Sequence, residues 1–374
     1  MLKYLIILLD DMSISYCHYE NSKTERKRIS LQDLKAGVLF AMKENLMIQF
    51  VYPDYELPQE YKEVIAMVEH TNIMSAVCCG EADVVVMNSW KALASCCLSK
   101  DMVYVLRLKK ADFFNHYSRV GEVFANVARL NIILTDIETF TEKDFDRYRC
   151  ILKTFSSLLK DAYKSGETLQ LNLLTDRMML DGMNNCNAGW ESITLAPDGK
   201  YYVCPAFYLS DDACCIGSLK DGLNIKNSQL YCLDYAPLCR NCDAYQCKRC
   251  VWLNWKTTLE VNTPSHEQCV TAHLERNASR ALLQEIRKIK DFLSDKEIKE
   301  IVMRKLIGVV TEEEKLEIQS LFERKNGLNE LAKIVTVENE MLYEKLVKDL
   351  GETGRKFQDW WDYMASQYQW EQCE

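Results

Sequence analysis

The sequence predicts an α/β protein in which a parallel sheet is followed by a cysteine-rich segment and a helical C-terminal region. Over residues 1–180, apolar β-rich runs alternate with stretches of helical periodicity, which is typical of parallel strands joined by crossover helices. Over residues 181–275 cysteines become dense and helical periodicity disappears. Over residues 276–374 the pattern is helical again. We therefore expect three regions with these bounds.

The first region contains six β-rich runs that predict its strands. These runs are 4–10, 47–52, 83–87, 102–108, 131–137 and 169–175. Helix start signals lie between them at Ser30 with Asp33, and at Thr141 with Asp144. A partial (β/α) barrel and an open doubly wound sheet both fit this alternation, so both arrangements stay open at this stage.

The second and third regions have their own local signals. Residues 197–199, Pro-Asp-Gly, lie between the strand-like runs 192–195 and 200–203, which predicts a β-hairpin with a tight turn. In the third region, start signals at Ser294 and Thr311 predict further helices. We expect a small cysteine-rich hairpin and knuckle module followed by an α-helical appendage.

Composition and charge exclude several classes of function. With 48% hydrophobic and 27% charged residues, the 374-residue chain has the make-up of a globular protein. Its net charge of −9, without a Lys/Arg cluster, argues against nucleic-acid binding. The apolar run 4–9 is short and is followed by Asp10 and Asp11, so we interpret it as a buried strand rather than a signal peptide. Since no apolar stretch approaches the roughly 18 residues that span a bilayer, we predict a cytoplasmic protein without a membrane partner.

Seventeen cysteines are then the main anomaly, because a reducing compartment favours metal ligands or free thiols over disulfides. Two C-x-x-C pairs, Cys239/Cys242 and Cys247/Cys250, have the spacing that lets two thiolates bind one ion. One tetrahedral zinc site would use these four thiolates alone. Three further cysteines belong to the same set, namely Cys186, Cys204 and Cys269. Two clusters would use more of these seven residues than one zinc site.

These residues carry a resemblance to a known family. The stretch CNAGWESITLAPDGKYYVC, the later CRNCDAYQCKRC and Cys269 together resemble the SPASM and twitch domains of radical-SAM peptide-modifying enzymes. The resemblance implies two [4Fe-4S] clusters, with zinc as the alternative metal. One cluster would be held by Cys186, Cys204 and Cys250. The other would be held by Cys239, Cys242, Cys247 and Cys269.

The motif departs from the family in its spacing and leaves one ligand unassigned. The last three cysteines of CRNCDAYQCKRC follow C-x4-C-x2-C, one residue shorter in each gap than the family's C-x5-C-x3-C. The fourth ligand of the first cluster would be Cys232, Cys214 or Cys215, or else an iron would stay open to a substrate thiol or an exogenous ligand. Four other cysteines lie in apolar runs and are predicted to be core residues, namely Cys78, Cys79, Cys96 and Cys97. No role is predicted for Cys17, Cys150 and Cys373.

The loop after the first strand lacks the C-x3-C-x2-C motif with which radical-SAM enzymes hold the SAM-cleaving cluster. Cys17 is the only cysteine there, and Ile14 and Asp10 occupy the other two positions. The second strand continues as Pro-Asp-Tyr-Glu at 53–56 in place of the glycine-rich segment that approaches SAM. The resemblance therefore implies a degenerate, radical-SAM-type partial (β/α) barrel that does not cleave SAM. The LDD beginning and the segment CVTAHLER at 269–276 resemble maturases of CXXX-repeat peptides.

These resemblances imply an iron–sulfur protein in the maturation of a ribosomally made, cysteine-containing peptide. It would bind the precursor peptide or relay electrons beside a true radical-SAM enzyme. The alternative is a structural zinc- or cluster-binding interaction protein without catalysis. Outside the cysteines, His18 and Asp10 lie near a strand end and are candidates for substrate contact. Trp252 and Trp255 follow the cysteines at helical spacing and would shield a cluster or pack in the core.

Overall fold

The computed structural model describes residues 2–77, 79–167, 169–210, 215–247 and 249–289. Within these residues, a mixed α/β fold is built on one sheet of eleven strands. In chain order the strands are β1 (Tyr4–Leu8), β2 (Met47–Val51), β3 (His70–Ser75), β4 (Val84–Met87), β5 (Val103–Leu108), β6 (Arg129–Leu134), β7 (Gln170–Leu171), β8 (Ser192–Leu195), β9 (Lys200–Tyr202), β10 (Cys215–Ser218) and β11 (Gly222–Leu223).

Nine α-helices accompany the sheet in the same described residues. They are α1 (Leu31–Lys43), α2 (Gln59–Ile65), α3 (Trp90–Ser95), α4 (Lys110–His116), α5 (Val120–Phe124), α6 (Glu142–Lys164), α7 (Pro205–Leu209), α8 (Val251–Thr258) and α9 (His266–Arg287). The helix starts predicted at Ser294 and Thr311 lie outside the described residues, so they stay predictions.

The strand order follows the chain from β1 to β7, and β8 lies on the other side of β1. All neighbouring pairs from β8 through β7 are parallel. Right-handed crossovers that step in one direction place their helices on one face of the sheet. The described strands β1 to β7 therefore lack the reversal of order that a doubly wound sheet has. This order is compatible with a partial (β/α) barrel, which stays a prediction.

The strand β1 is central because it is paired on both sides. Leu5, which has no exposed surface, lies beside Ile48 of β2 and Ile193 of β8. The helix α1 packs on this junction at a glycine. A Cβ atom on Gly37 would lie 2.4 Å from Cδ2 of Leu195, so a larger residue would push α1 away from β8.

The predicted hairpin joins the cysteine-rich segment to the main sheet. β8 and β9 are antiparallel, and the Gly199 N–H donates to the Ala196 carbonyl at 3.0 Å to close the turn. Gly199 has a φ of +77°, in the left-handed region that favours glycine. β10 and β11 continue the sheet beyond β9 in antiparallel fashion. The hairpin strand β8 thereby sits directly against β1.

The sequence pattern missed β3. This strand mixes polar and apolar residues, and Asn72 is buried within it. The Asn72 side chain donates to the Glu81 carbonyl at 3.0 Å, and its backbone N–H donates to Asp83 Oδ2 at 2.7 Å. These two bonds satisfy the backbone and side-chain N–H groups of Asn72, which lowers the cost of burying it. A search for continuous apolar runs overlooks such a strand.

The last two strands predicted in the first region are shorter than expected. β6 ends at Leu134, and Ile137–Thr139 is a short 3₁₀ helix. β7 is two residues long because the Asn172 side chain takes over the pairing. Its Oδ1 accepts from the Ile132 N–H at 2.8 Å, and its Nδ2 donates to the Ile132 carbonyl at 2.9 Å.

The predicted starts of α1 and α6 are confirmed. Ser30 Oγ accepts from the Asp33 N–H at 3.0 Å, and Asp144 Oδ2 accepts from the Thr141 N–H at 2.9 Å. The first turn of α9 lies earlier than the helical pattern indicated. Ser265 caps it, so Cys269 lies inside a helix.

A buried polar triad fixes α9 to the rest of the fold. The Tyr148 hydroxyl of α6 donates to Glu275 Oε1 at 2.6 Å, and Arg177 forms a 2.5 Å ion pair with Glu275 Oε2. The side chains of Arg177 and Glu275 are 4% and 14% exposed. Removing one partner of so buried a pair leaves an uncompensated charge, so the triad holds α9, and with it Cys269, in place.

Candidate metal centre

Three of the predicted ligands lie where elements of the cysteine-rich segment begin or end. Cys204 follows β9 and caps α7, and Cys250 caps α8. Cys186 precedes β8, and its carbonyl accepts from Ser192 Oγ at 3.1 Å. Because β8 and β9 are antiparallel, the start of β8 and the end of β9 lie at the same end of the hairpin. This pairing brings Cys186 and Cys204 towards one place.

The pKa values of Cys204 and Cys250 are raised, first by burial and then by neighbouring cysteines. Burial raises the pKa of Cys204 well above its ordinary value, and repulsion from Cys186 and Cys17 adds to the rise, while backbone hydrogen bonds oppose it. Burial also raises the pKa of Cys250, and repulsion from the other three thiols adds to it. Charges interact this way only at short range inside a protein. Each of Cys204 and Cys250 is therefore influenced by other predicted ligands of the first cluster, and their joint role as ligands stays a prediction.

The other four predicted ligands form a second group. Burial raises the pKa of Cys239 to about 11, and repulsion from Cys269 and Cys242 adds to the rise. Burial raises the pKa of Cys247 to about 12, again with repulsion from Cys239 and Cys269. Burial and the nearby Cys242 thiol also raise the pKa of Cys269. The division of the seven cysteines into two clusters, and their role as ligands, stay predictions.

Polar hydrogens are directed at a sulfur atom of the second group. The Ala244 N–H donates to Cys242 Sγ at 3.4 Å. His273 Nε2 lies 3.5 Å from the same sulfur. His273 and Cys269 are one helical turn apart on α9, so both face the second group. Hydrogen bonds to sulfur are one of the features by which proteins tune iron–sulfur centres.

Arg249 is the feature of the site that sequence reasoning missed. It lies between the cysteines of the second C-x-x-C pair, has a φ of +39° and is 2% exposed. Its Nη2 donates to the Tyr231 carbonyl at 3.0 Å, whereas Nε has no hydrogen-bond partner within the described chain. Burial lowers the pKa of Arg249, and the thiols of Cys239 and Cys186, one from each group, oppose that change most strongly. A basic residue enclosed by two cysteines was the sequence signal that could have indicated it.

A buried guanidinium needs negative charge nearby, because an isolated charge is costly to remove from water. Among the described residues, no three His, Cys, Asp or Glu side chains lie close enough to hold a single metal ion. The donor chemistry of the two groups is thiolate throughout, which suits iron–sulfur clusters and zinc. A cysteine-ligated cluster is anionic, and it would supply the negative charge that the Arg249 guanidinium lacks. The residues present therefore fit such a group.

The loop after β1 is hydrogen-bonded to the end of β2 and to the residues that follow it. Ser13 Oγ donates to the Val51 carbonyl at 2.8 Å, and the Ile14 N–H donates to the Tyr52 carbonyl at 2.9 Å. Asp10 has no exposed surface and accepts at Oδ2 from the Tyr55 hydroxyl at 2.6 Å. The positions that would carry two of the three SAM-cluster cysteines are thus tied to the end of β2.

The remaining predicted residues are scattered. Cys232 is buried near Arg249, Cys215 is exposed on β10, and Cys214 lies outside the described residues. Trp252 is 5% exposed and Trp255 is 36% exposed, so only the first of them packs in the interior.

The core prediction is wrong for Cys97, which is exposed, and Cys96 is only half-buried. Both follow α3, beyond its last buried apolar turn. Cys78 is not described.

His18 lies in a small cavity beside the second group. Its Nδ1 is 2.9 Å from the Leu134 carbonyl at the end of β6, and the residue is 6% exposed. The cavity has a volume of about 50 Å³ and is also lined by Cys247 and by the triad residues Arg177 and Glu275. Ligand pockets usually measure about 300–1,000 Å³. This cavity is too small for a peptide side chain of any length.

Solved structures of anSMEcpe share the fold of this chain. Native anSMEcpe with bound AdoMet and the Cp18Cys peptide matches 77% of this chain and 100% of its own, with a TM-score of 0.54 and 12% identity. Histidine-tagged anSMEcpe with bound AdoMet matches 78% of this chain and 97% of its own, with a TM-score of 0.55 and 12% identity. Streptococcus suis SuiB bound to precursor peptide SuiA matches 56% of this chain and 60% of its own, with a TM-score of 0.33 and 10% identity.

No family model and no curated protein matches the sequence. At 12% identity the likeness to anSMEcpe concerns the fold, which is shared over nearly the whole of that protein. In the part of the chain that the structure describes, none of the helices combines the length and the apolar character needed to cross a membrane.

Proposed function

We propose that this chain is an iron–sulfur protein of radical-SAM-like fold that acts in the maturation of a ribosomally made, cysteine-containing peptide of the CXXX-repeat type. It binds the precursor peptide and relays electrons beside a separate radical-SAM enzyme in the cytoplasm. It does not cleave SAM itself, and release of 5′-deoxyadenosine by the reduced protein would contradict that part of the proposal.

The observation that carries the proposal is the buried Arg249 inside the second C-x-x-C pair, whose pKa is influenced by thiols of both predicted groups. Burial raises the pKa of Cys204 and of Cys247, and repulsion from neighbouring thiolates adds to the rise, so a bound cation would be needed to hold these residues as thiolates. The buried Arg249 guanidinium, whose Nε has no hydrogen-bond partner among the described residues, also requires a negative charge nearby. Two anionic clusters meet both requirements at once.

The residues divide into two sites under this proposal. Cys186, Cys204 and Cys250 hold the first [4Fe-4S] cluster. Cys239, Cys242, Cys247 and Cys269 hold the second. Bound clusters of this kind supply one-electron transfer. The Ala244 N–H donates to the Cys242 sulfur, Cys239 is buried, and Arg249 is a buried cation influenced by thiols of both predicted groups. Each of these features shifts a reduction potential.

The peptide partner rests on the fold likeness. The same fold in anSMEcpe carries the Cp18Cys peptide together with AdoMet. In this chain the loop after β1 lacks the C-x3-C-x2-C motif. We infer that peptide binding and the cysteine groups are the functions retained by the shared fold. A separate radical-SAM enzyme would then carry out the modification of the bound peptide.

Anaerobic titration with the co-encoded peptide tests this function. We expect saturable binding with a Kd of about micromolar magnitude, because a flexible peptide loses conformational freedom when it docks. A Cys-to-Ser version of the peptide is the matched control. Equal affinity for the two excludes coordination of the peptide thiol, and a lack of binding to either contradicts the peptide-maturation function.

A structural zinc protein is the second candidate, and one observation favours it. His273 Nε2 lies 3.5 Å from Cys242 Sγ, and mixed cysteine and histidine ligands are typical of zinc. Zinc without sulfide in anaerobically prepared protein, together with loss of zinc in His273→Ala, would assign the second group to zinc.

A further inference from the structure

A groove opens on the face of the sheet that α2 covers, where the fold lacks a crossover helix. β3 and β4 are parallel, yet the described residues between them, 76–77 and 79–83, contain a single short 3₁₀ helix, Cys79–Glu81. A connection between parallel strands usually has about a dozen or more residues, most often with an α-helix that covers the sheet. The groove lies between this short connection, β3 and α2, and has a volume of about 410 Å³. Ligand pockets usually measure about 300–1,000 Å³, so this groove is large enough for one.

The walls of the groove are apolar. Leu57, Ile65 and Met74 line it and are 4%, 3% and 9% exposed. Because residues alternate between the two faces of a strand, His70 and Asn72 lie on the same face of β3 as Met74, and they also line the groove. An alkyl chain between these walls would be removed from water.

The polar atoms that β3 contributes to the groove are hydrogen-bond acceptors. Asn72 is 7% exposed and donates from Nδ2 to the Glu81 carbonyl at 3.0 Å, whereas its buried Oδ1 has no hydrogen-bond partner among the described residues. His70 Nδ1 lies 2.7 Å from the Val68 carbonyl. Since a carbonyl can only accept, Nδ1 carries the hydrogen and Nε2 is left as an acceptor. A ligand at this place must therefore be a donor.

The charge of the groove is negative. The cation Lys62 lines it, and its Nζ lies 2.5 Å from Glu56 Oε1. Arg26, which stacks on a lining tyrosine, is paired with Asp54 at 3.5 Å. Within the described chain no ion pair involves the Glu81 carboxylate, which also lines the groove. Both cations are thus compensated, and a ligand that carries a positive charge with N–H donors complements this surface.

We propose that this groove binds a cationic side chain, that is, an alkyl chain ending in a guanidinium or ammonium group. The alkyl part packs between the apolar walls, and the cationic end donates to Asn72 Oδ1 and His70 Nε2 beside the Glu81 carboxylate. An arginine or lysine of a peptide and a free amine share this chemistry. The inference is independent of the proposed clusters, because none of the described residues that line the groove is a cysteine.

Titration of the full chain with small cationic probes tests the inference. The blocked tripeptide Ac-Gly-Arg-Gly-NH2 should bind about tenfold more tightly than Ac-Gly-Leu-Gly-NH2 in calorimetry or ligand-observed NMR, because the leucine leaves the acceptors unpaired. Agmatine carries the same guanidinium chain without a peptide. Tighter binding of agmatine assigns the groove to a free amine, and tighter binding of the arginine tripeptide assigns it to a peptide side chain. Equal affinity for the arginine and leucine tripeptides, or no binding of any probe, would overturn the inference and leave the proposed function intact.

Substitutions at exposed positions locate the binding in the groove. Glu81→Gln removes the negative charge and keeps the shape, so affinity for the arginine probe should fall about fivefold. Glu63→Gln, at an exposed position of α2 outside the groove, is the matched control and should leave affinity unchanged. Ala66→Trp, which fills the groove from an exposed position, should abolish binding and keep the wild-type thermal unfolding. Equal affinities in Glu81→Gln and Glu63→Gln, or full binding in Ala66→Trp, would place the ligand elsewhere and overturn the inference.

Discussion

The two cysteine groups are assembled in different ways. Three members of the second group lie within residues 239–247, and the fourth, Cys269, is placed by a helix that the buried pair Arg177 and Glu275 anchors. The first group joins Cys186, Cys204 and Cys250, which lie before β8, after β9 and before α8. The β8–β9 hairpin carries two of its members, and β8 is paired with β1. We infer that the metal orders residues 239–250 around the second group and that the sheet orders the hairpin of the first.

Arg249 links the two groups, so its removal should have the largest effect on both. In the metal-loaded protein, Arg249→Leu should reduce the iron content of both sites and lower stability by about 3–5 kcal/mol, because buried negative charge loses its counterion. Iron analysis and anaerobic thermal unfolding measure this. The exposed Arg240→Leu is the control, and equal behaviour of the two variants would show that Arg249 is no counterion.

Removal of one ligand should separate the groups. Cys242→Ala should abolish the second site, lose about half of the iron and expose residues 237–269 to protease, because a knuckle with a small apolar core depends on its metal. The EPR signal of the first site should persist, since β1 and β8 still pair. Unchanged iron content and protease resistance would reject Cys242 as a ligand.

The metal-free protein should lose stability at high pH. The pKa of Cys239 is raised from 9.0 to about 11 and that of Cys247 to about 12, so the folded state retains protons that the unfolded state releases. This contribution is present below pH 9 and should disappear as the pH rises from 9 towards 12. Denaturant unfolding of chelated, reduced protein across that range measures it. Metal-loaded protein, whose thiolates are already deprotonated, should lack the decrease, and a flat profile in the metal-free protein would contradict the burial of these thiols.

The smallest effect is expected beside the first group. Trp252 Nε1 donates to Ser210 Oγ at 2.9 Å, and its ring packs on Tyr19. Trp252→Phe should cost about 1 kcal/mol through the lost hydrogen bond and leave iron content unchanged. Trp255→Phe, at a 36% exposed position, should change stability by less than about 0.5 kcal/mol. A larger loss of stability in Trp255→Phe than in Trp252→Phe would show that Trp255 is the tryptophan whose packing stabilises the fold.

The same contrast explains what the sequence could predict. The C-x-x-C pairs, the Gly199 turn and the cap of α1 are local patterns, and each is visible within a few residues. Arg249 was overlooked because its partner at the Tyr231 carbonyl and the thiols that influence it come from separate parts of the segment, and no spacing rule connects them. The strand β3 was overlooked because Asn72 obtains its hydrogen bonds from the segment before β4, which a local apolar pattern does not record.

The central claim is that the two thiol groups hold iron–sulfur clusters. Quantitative iron, sulfide and zinc analysis of anaerobically prepared full-length protein tests it most directly. We expect iron and sulfide in equal amounts, about eight of each per chain, and a visible absorbance band at roughly 400 nm. A colourless protein that contains zinc and no sulfide would contradict it.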